Sequence, residues 1–289
     1  MRLTMKEGLL QHANGILPSF KHGFSLDDNA RALIVIVEAY HSNWQDEQAE
    51  LLYPYLSYLK YMQNEDGSFN NFMHFDRKIV SEDCSEDAFG RAIWALGMLI
   101  RYSPNDSLMM LAHEMFHHAL QKLDQLQYAR GFANCIFGLY HYVKRFPDQE
   151  KFISLLIKLA DQLLVKYEAH RRENWHWFED ALTYDNGLIP AALFKAYELT
   201  HDMKYLRIAN KSKAFLEGIC FVEPWLSLVG NTKWLRFDAS YELYAQQPID
   251  ATAMMVMYLN AYQATGAVSY THLRAHETVL DLVCRLLLE

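Results

Sequence analysis

Hydrophobic positions along the chain fall into two kinds of segment that alternate. Five stretches, Asp27–Tyr40, Ser85–Ile100, Tyr128–Val143, Tyr184–Leu199 and Gln247–Tyr262, are apolar on nearly every helical face, and each follows a short loop rich in acids, amides and Tyr or Trp. A helix without a polar stripe has to be covered all round, so these five are predicted as inner helices. The segments between them differ. Lys151–His170 carries Lys151, Ser154, Lys158, Asp161, Gln162 and Lys166 on one wet face, which predicts an outer helix buried on one side only. Alternation at intervals of about 40–65 residues predicts an all-α architecture of helical hairpins closed into a ring, each unit relying on its neighbours for burial. Only four outer helices accompany the five inner ones, so the expectation is an (α/α)6 toroid truncated to about five hairpins. In such a ring every inner helix starts at the same end, and that end collects the acid-rich loops.

Punctuation residues fit this scheme. Pro248 and Pro190 fall near helix starts, where no backbone donor is lost, and Pro54 implies a kink or a later start for the first outer helix. The one departure expected from an all-helical chain is Gln63–Phe75, whose Asn, Asp and Gly residues signal a turn and a short hairpin. No linker composition interrupts the rhythm, so residues 1–267 are expected to form a single domain. The last residues break the pattern. Val268–Thr278 (VSYTHLRAHET) resembles a translated sequencing-library transposon adapter, and Leu282–Glu289 (LVCRLLLE) resembles the flow-cell end of one. Residues 268–289 are therefore expected to be a non-native tail, with the natural chain continuing differently beyond Ala267.

Composition narrows the field further. The net charge of −8 offers no basic footprint for nucleic acid. Half of the residues are hydrophobic, yet no apolar run approaches the roughly 18–20 residues of a membrane span. The N-terminus lacks an apolar export signal, and Cys84, Cys135 and Cys220 show no paired spacing, which suits a reducing, cytoplasmic setting. No cofactor is expected.

Candidate chemistry lies in the loops. Asp27, Asp28, Glu82, Asp83, Glu86, Asp87, Glu179, Asp180, Asp185 and Asp250 are many carboxylates for one end of one domain. Any single one reads best as a helix cap or first-turn acid, favoured by about 0.3–1 kcal/mol. Capping needs one acid per helix, however, and these loops pair acids with Arg31, Arg91, Arg130, His22, Tyr184, Asn186, Trp175 and Trp177. Paired carboxylates among aromatic rings and amide or guanidinium donors suit a sugar site, where one carboxylic acid protonates a leaving oxygen and one carboxylate activates water or attacks. Asp87 and Asp185 are the leading catalytic candidates, with Glu179 and Asp250 in reserve. Trp175, Trp177 and Phe69, along with Phe178, would stack on sugar rings, while Asp28, Asn29, Arg31, Asp66 and Asn186 would bind hydroxyls. Arg91, four residues after Asp87, would steady that carboxylate or reach the cavity.

His113-Glu114-Met115-Phe116-His117 matches H-E-x-x-H, the zinc-protease helix motif. The apolar stripe Leu108, Leu111, Ala112, Met115, Phe116, Ala119, Leu120 and Leu123 would leave both histidines on the solvent side, with no third ligand assigned. No metal site is expected.

HGFSLDDNARAL (His22–Leu33), SEDAFGRAIWALG (Ser85–Gly97), WHWFEDALTYDNGLIPAALF (Trp175–Phe194) and QPIDATAM (Gln247–Met254) together resemble the six-hairpin, glycosidase-like toroid domain of bacterial carbohydrate-active proteins, often found behind a GT-B glycosyltransferase. The resemblance covers about residues 9–267. It implies a carbohydrate substrate, a glycosyltransferase domain as a partner, and a cavity lined by Asp27, Asp28, Asn29, Arg31, Asp87, Arg91, Glu179, Tyr184, Asp185, Asn186 and Asp250. Gly187-Leu188 departs from the Ala-Arg expected after Tyr184-Asp185-Asn186. Three functions follow: a glycoside hydrolase-like enzyme, a non-catalytic glycan-binding module of a transferase, or a sugar epimerase using histidines, for which His22, His74 and His176 are available.

Overall fold

The computed structural model describes residues 3–42, 50–80, 84–222, 225–239 and 244–267; Glu82, Asp83 and the 268–289 tail lie outside these. The chain divides into two compact units, Met1–Leu156 and Ile157–Glu289. Unit 1 contains α1 (Leu26–His41), α2 (Leu52–Met62), α3 (Glu86–Tyr102), α4 (Asp106–Ala119) and α5 (Ala129–Arg145). Helix α6 (Glu150–His170) crosses the boundary, and unit 2 adds α7 (Leu188–Thr200), α8 (Met203–Cys220) and α9 (Pro248–Thr265).

Inner and outer helices separate as the pattern requires. In α5 every residue from Ala129 to Tyr140 is buried, and in α7 every residue from Leu188 to Ala196. In α6, Lys151, Ser154, Lys158 and Gln162 are exposed while Phe152, Leu156, Leu163 and Tyr167 are buried. Within unit 1, α1 packs on α3 and α3 on α5, with α2 and α4 laid outside as hairpin partners of α1 and α3. Within unit 2, α7 packs on α9 and is paired with α8. Covering is incomplete on α1 and α9, where Val35 is 62% and Leu259 42% exposed. Pro54 stands in the first turn of α2, so the helix starts late and unkinked.

The α3–α5 contact is the tightest in unit 1 for a reason written in its glycines. A methyl group at Gly97 would collide with the Gly138 carbonyl, one at Gly138 with the Ile93 carbonyl, and one at Gly90 would lie 2.8 Å from the Asn134 Cβ. Absent side chains let the two backbones touch, and Trp94 stacks on Phe137 beside the seam with centroids 4.5 Å apart.

The strand content corrects the expectation of a single non-helical departure. A five-stranded antiparallel sheet, in order β1 (Thr4–Met5), β2 (Gly8–Asn14), β3 (Leu17–Ser25), β4 (Phe72–Met73) and β5 (Ile79–Val80), joins the N-terminal residues to the expected 63–75 turn region. Gly15 at φ +60° opens the two-residue turn between β2 and β3. Short pairs β6 (Ala181–Leu182) with β9 (Leu235–Arg236), and β7 (Phe221–Val222) with β8 (Trp225–Leu226), lie in unit 2.

Gly97→Ala and Gly138→Ala should each destabilise the protein by about 1–3 kcal/mol through overpacking. Gly218→Ala, in α8 with open space around its Cα, should instead add roughly 0.5–1 kcal/mol. Thermal melts of the three variants check the contrast, and equal effects would show that the seam is not tightly packed.

Candidate functional site

In unit 1 the sequence builds the start of α1 from a capping motif. Ser25, the N-cap, accepts from the Asp28 backbone N–H at 3.1 Å and its hydroxyl donates to Asp28 Oδ2 at 2.5 Å. Asp27 turns the other way. Arg31, one turn along α1, donates through Nε to Asp27 Oδ2 at 3.0 Å, and Arg91 of α3 donates through Nε to Oδ1 at 2.5 Å. Arg91 is only 3% exposed, so Asp27 supplies charge where water does not reach.

Two adjacent carboxylates are thereby driven apart in ionisation. Burial is the largest influence on Asp27 and opposes its charge, but Arg91 and Arg31 outweigh it and hold the carboxyl below its usual value. Burial pushes Asp28 up; the Ser25 bond opposes this and the charge on Asp27 adds to it. One neighbour is a fixed anion and the other keeps its proton more readily. Tyr58 stands in the field of Asp28, which with burial raises its phenol.

Glu86 shows the same economy at the next inner helix. Its carboxylate accepts from the backbone N–H groups of Gln127 and Tyr128 at 2.8–2.9 Å, capping α5, whose own N-cap Tyr128 makes no side-chain bond. The Asp27–Arg91 and Glu86–Tyr128 contacts join helix starts to helix starts, so α1, α3 and α5 run parallel with their N-termini together. Asp87 is partly exposed at that edge.

Unit 2 repeats the device. Asp250, in the first turn of α9 and 6% exposed, accepts from the Asp185 backbone N–H at 2.6 Å, just ahead of α7. Asp185 is 2% exposed and adopts φ +55°, a left-handed conformation uncommon outside glycine and found where surrounding structure enforces it. A methyl group at Gly187 would collide with the Ala253 carbonyl of α9, which accounts for glycine where Ala was expected. Tyr184 and Glu179 are partly exposed nearby in sequence.

Several expected ligand-binding residues are otherwise employed. Asn29 is fully buried; its Oδ1 accepts from Leu9 N–H at 2.7 Å and its Nδ2 donates to the Leu9 and Ser25 carbonyls, tying β2 to α1. Phe69 is 4% exposed against Phe89. Trp175 and Trp177 are both buried around Phe215, and the Trp175 indole N–H donates to the Glu179 carbonyl. Asn186 clasps the Thr183 main chain through both ends of its amide. Asp66 is taken by Ser68 and Lys122. His22 is exposed on β3, and Arg31 keeps a third of its side chain open. The His113–His117 pair also departs from its expected solvent position. Both Nε2 atoms lie 2.9–3.1 Å from the Tyr142 hydroxyl of α5, and among the described residues no group of three His, Cys, Asp or Glu side chains suits a metal. None of the helices described is long and apolar enough to cross a membrane.

No protein-family profile matches the chain, and no curated protein does. Solved structures do. A sugar epimerase from a ruminal bacterium matches with TM-score 0.73 at 15% identity, over 96% of this chain and 80% of that one. The cellobiose 2-epimerase of Bacillus thermoamylovorans gives TM-score 0.73 at 12% identity, over 97% and 81%. A GH76 α-mannanase of Bacteroides thetaiotaomicron gives 0.60 at 12% identity, over 85% and 71%. The fold is the (α/α)6 toroid. Of it, the described residues supply five inner and four outer helices.

Asp27→Asn should cost about 3 kcal/mol at neutral pH, because buried Arg91 loses a charged partner. The sign with pH follows from the lowered carboxyl: its stabilisation is complete above the unfolded value near 4 and disappears as pH falls through the folded value. Urea unfolding of wild type and variant should therefore differ at pH 7 and converge toward pH 2; a constant difference would refute the pairing.

Proposed function

We propose that this chain is a carbohydrate-active protein, glycoside hydrolase-like, that uses carboxylates at the starts of its inner helices for proton transfer on an oligosaccharide or polysaccharide. The observation that carries this reading is the Asp27–Asp28 pair, in which neighbouring acids are held in opposite protonation tendencies by Arg91, Arg31 and burial. Environments that separate two carboxyl groups in this way are how acid and base roles are divided at one pH. Asp87, partly exposed on α3 of unit 1, and Asp185, held left-handed ahead of α7 of unit 2, each remain proposed for a proton-transfer role. Asp250 is better assigned to positioning Asp185 than to chemistry, since its Oδ1 is committed to the Asp185 N–H. Structural neighbours named for sugars support the substrate class.

A second reading, sugar epimerisation, is favoured by one observation: the two neighbours with TM-score 0.73 are named as epimerases. Both reactions need a proton donor and acceptor, but they differ in product. Incubation with glucose-, mannose- and uronate-containing oligosaccharides, read by reducing-end assay and by NMR, separates them. New reducing ends indicate hydrolysis, and a changed ring configuration at constant chain length indicates epimerisation. Asp185→Asn should lower either rate about a hundredfold or more. Binding without turnover, unaffected by Asp185→Asn, would overturn both and leave a glycan-holding module.

A further inference from the structure

We infer that residues 20–23 of β3 form a saccharide-stacking ledge, with Phe20 and Phe75 as its platform and His12 and His22 as its hydrogen-bonding edge. The inference rests on the carbohydrate reading and adds to it a subsite, for a pyranose ring of an oligosaccharide that extends from the acids at the start of α1.

Strand register creates the ledge. Leu10 pairs with Phe24 and His12 with Ser19, so four residues of β3, Phe20 to Gly23, stand opposite the single Gln11 of β2. An insertion of this kind bends a strand and re-aims its side chains. Gln11 holds the excursion through Nε2, which donates to the His22 carbonyl at 2.7 Å. Gly23, at φ +64°, is pressed against the Met73 carbonyl so closely that no side chain would fit, which fixes the excursion on β4.

The outcome is a pair of open rings on a rigid base. Phe20 is 49% and Phe75 44% exposed, with centroids 4.4 Å apart and planes inclined by 31°. Phe75 continues inward onto buried Phe24, at 6.4 Å and 12°. Rings anchored at their root lose little freedom when a ligand covers them. His12 and His22 meet edge to face at 4.7 Å on the neighbouring strands, both exposed, and His12 stands within electrostatic reach of Asp28. A sugar ring has an apolar C–H face and a polar hydroxyl edge, and this arrangement offers a partner for each. A docking surface for an apolar helix would not be interrupted by Lys21 and two imidazoles.

The test uses the whole chain and a panel of defined hexasaccharides: cellohexaose, α-mannohexaose and hexagalacturonate. Isothermal titration of wild type, Phe20→Ala, Phe75→Ala and Asp28→Asn gives affinities, and light scattering gives the mass. Phe20→Ala, at an exposed ring, should weaken the bound hexasaccharide roughly five- to tenfold with an unchanged melting temperature. Phe75→Ala should do the same if its melt is intact. Hexasaccharide binding that Asp28→Asn weakens and Phe20→Ala leaves untouched would sink the ledge alone and spare the carbohydrate reading. No binding of any panel member by wild type would sink both. A wild-type dimer that Phe20→Ala dissociates, with saccharide affinity unaltered, would reassign the ledge to contact between copies.

Discussion

Each inner helix begins with backbone N–H groups that have no partner within the helix, and packing several such starts side by side concentrates positive potential in a small volume. Carboxylates shared between neighbouring helices resolve this. Glu86 belongs to α3 but caps α5, Asp27 belongs to α1 but neutralises Arg91 of α3, and Asp250 belongs to α9 but receives the N–H that precedes α7. Because each acid satisfies a group on another helix, it fixes relative position as well as local structure. The parallel order of inner helices in each unit depends on these cross-helix bonds, and so does the accumulation of acids where chemistry is proposed.

That constraint also explains why capping and catalysis are difficult to tell apart in this fold. An acid spent on backbone N–H groups, as Glu86 is on those of Gln127 and Tyr128, has little left to offer a substrate. Asp28 differs in kind. Burial works against its charge, its partner is a hydroxyl rather than a cation and its neighbour is an anion, so its carboxyl is pushed above its usual value. A helix requires one cap; the second acid at the start of α1 raises a like-charge cost that structure alone does not call for.

The five inner and four outer helices were legible because burial on every face leaves a compositional trace over four turns or more, a signal that loop chemistry does not disturb. The sheet was not, although a sign was present: Gly15-Ile16 is the two-residue turn between β2 and β3, and Gly15 takes the positive φ that such tight hairpins demand. The site was half legible. Acid types and loop positions could be read, since helix starts are local. Which side chains face solvent could not, because Trp175, Trp177 and Phe69 are large enough either to bind a sugar or to fill the space beneath a loop, and Phe215 and Phe89 decide it from elsewhere in the chain. Asn29 misled for a similar reason, its amide being claimed by Leu9, twenty residues away.

The two rings of the proposed ledge do not come from the stretch with the highest aromatic density in sequence. Phe20 lies in PSFKHGFS and Phe75 ends FNNFMHF, each less dense in aromatic rings than WHWF at 175–178. What exposes them is a mismatch in strand length, one residue of β2 against four of β3, and a glycine that lets β3 press on β4. The excursion starts beside the paired Leu10 and Phe24, both 1% exposed, and is packed through Gly23 onto the Met73 carbonyl. The irregularity that interrupts the pairing of β2 with β3 is thus the feature on which the proposed subsite depends.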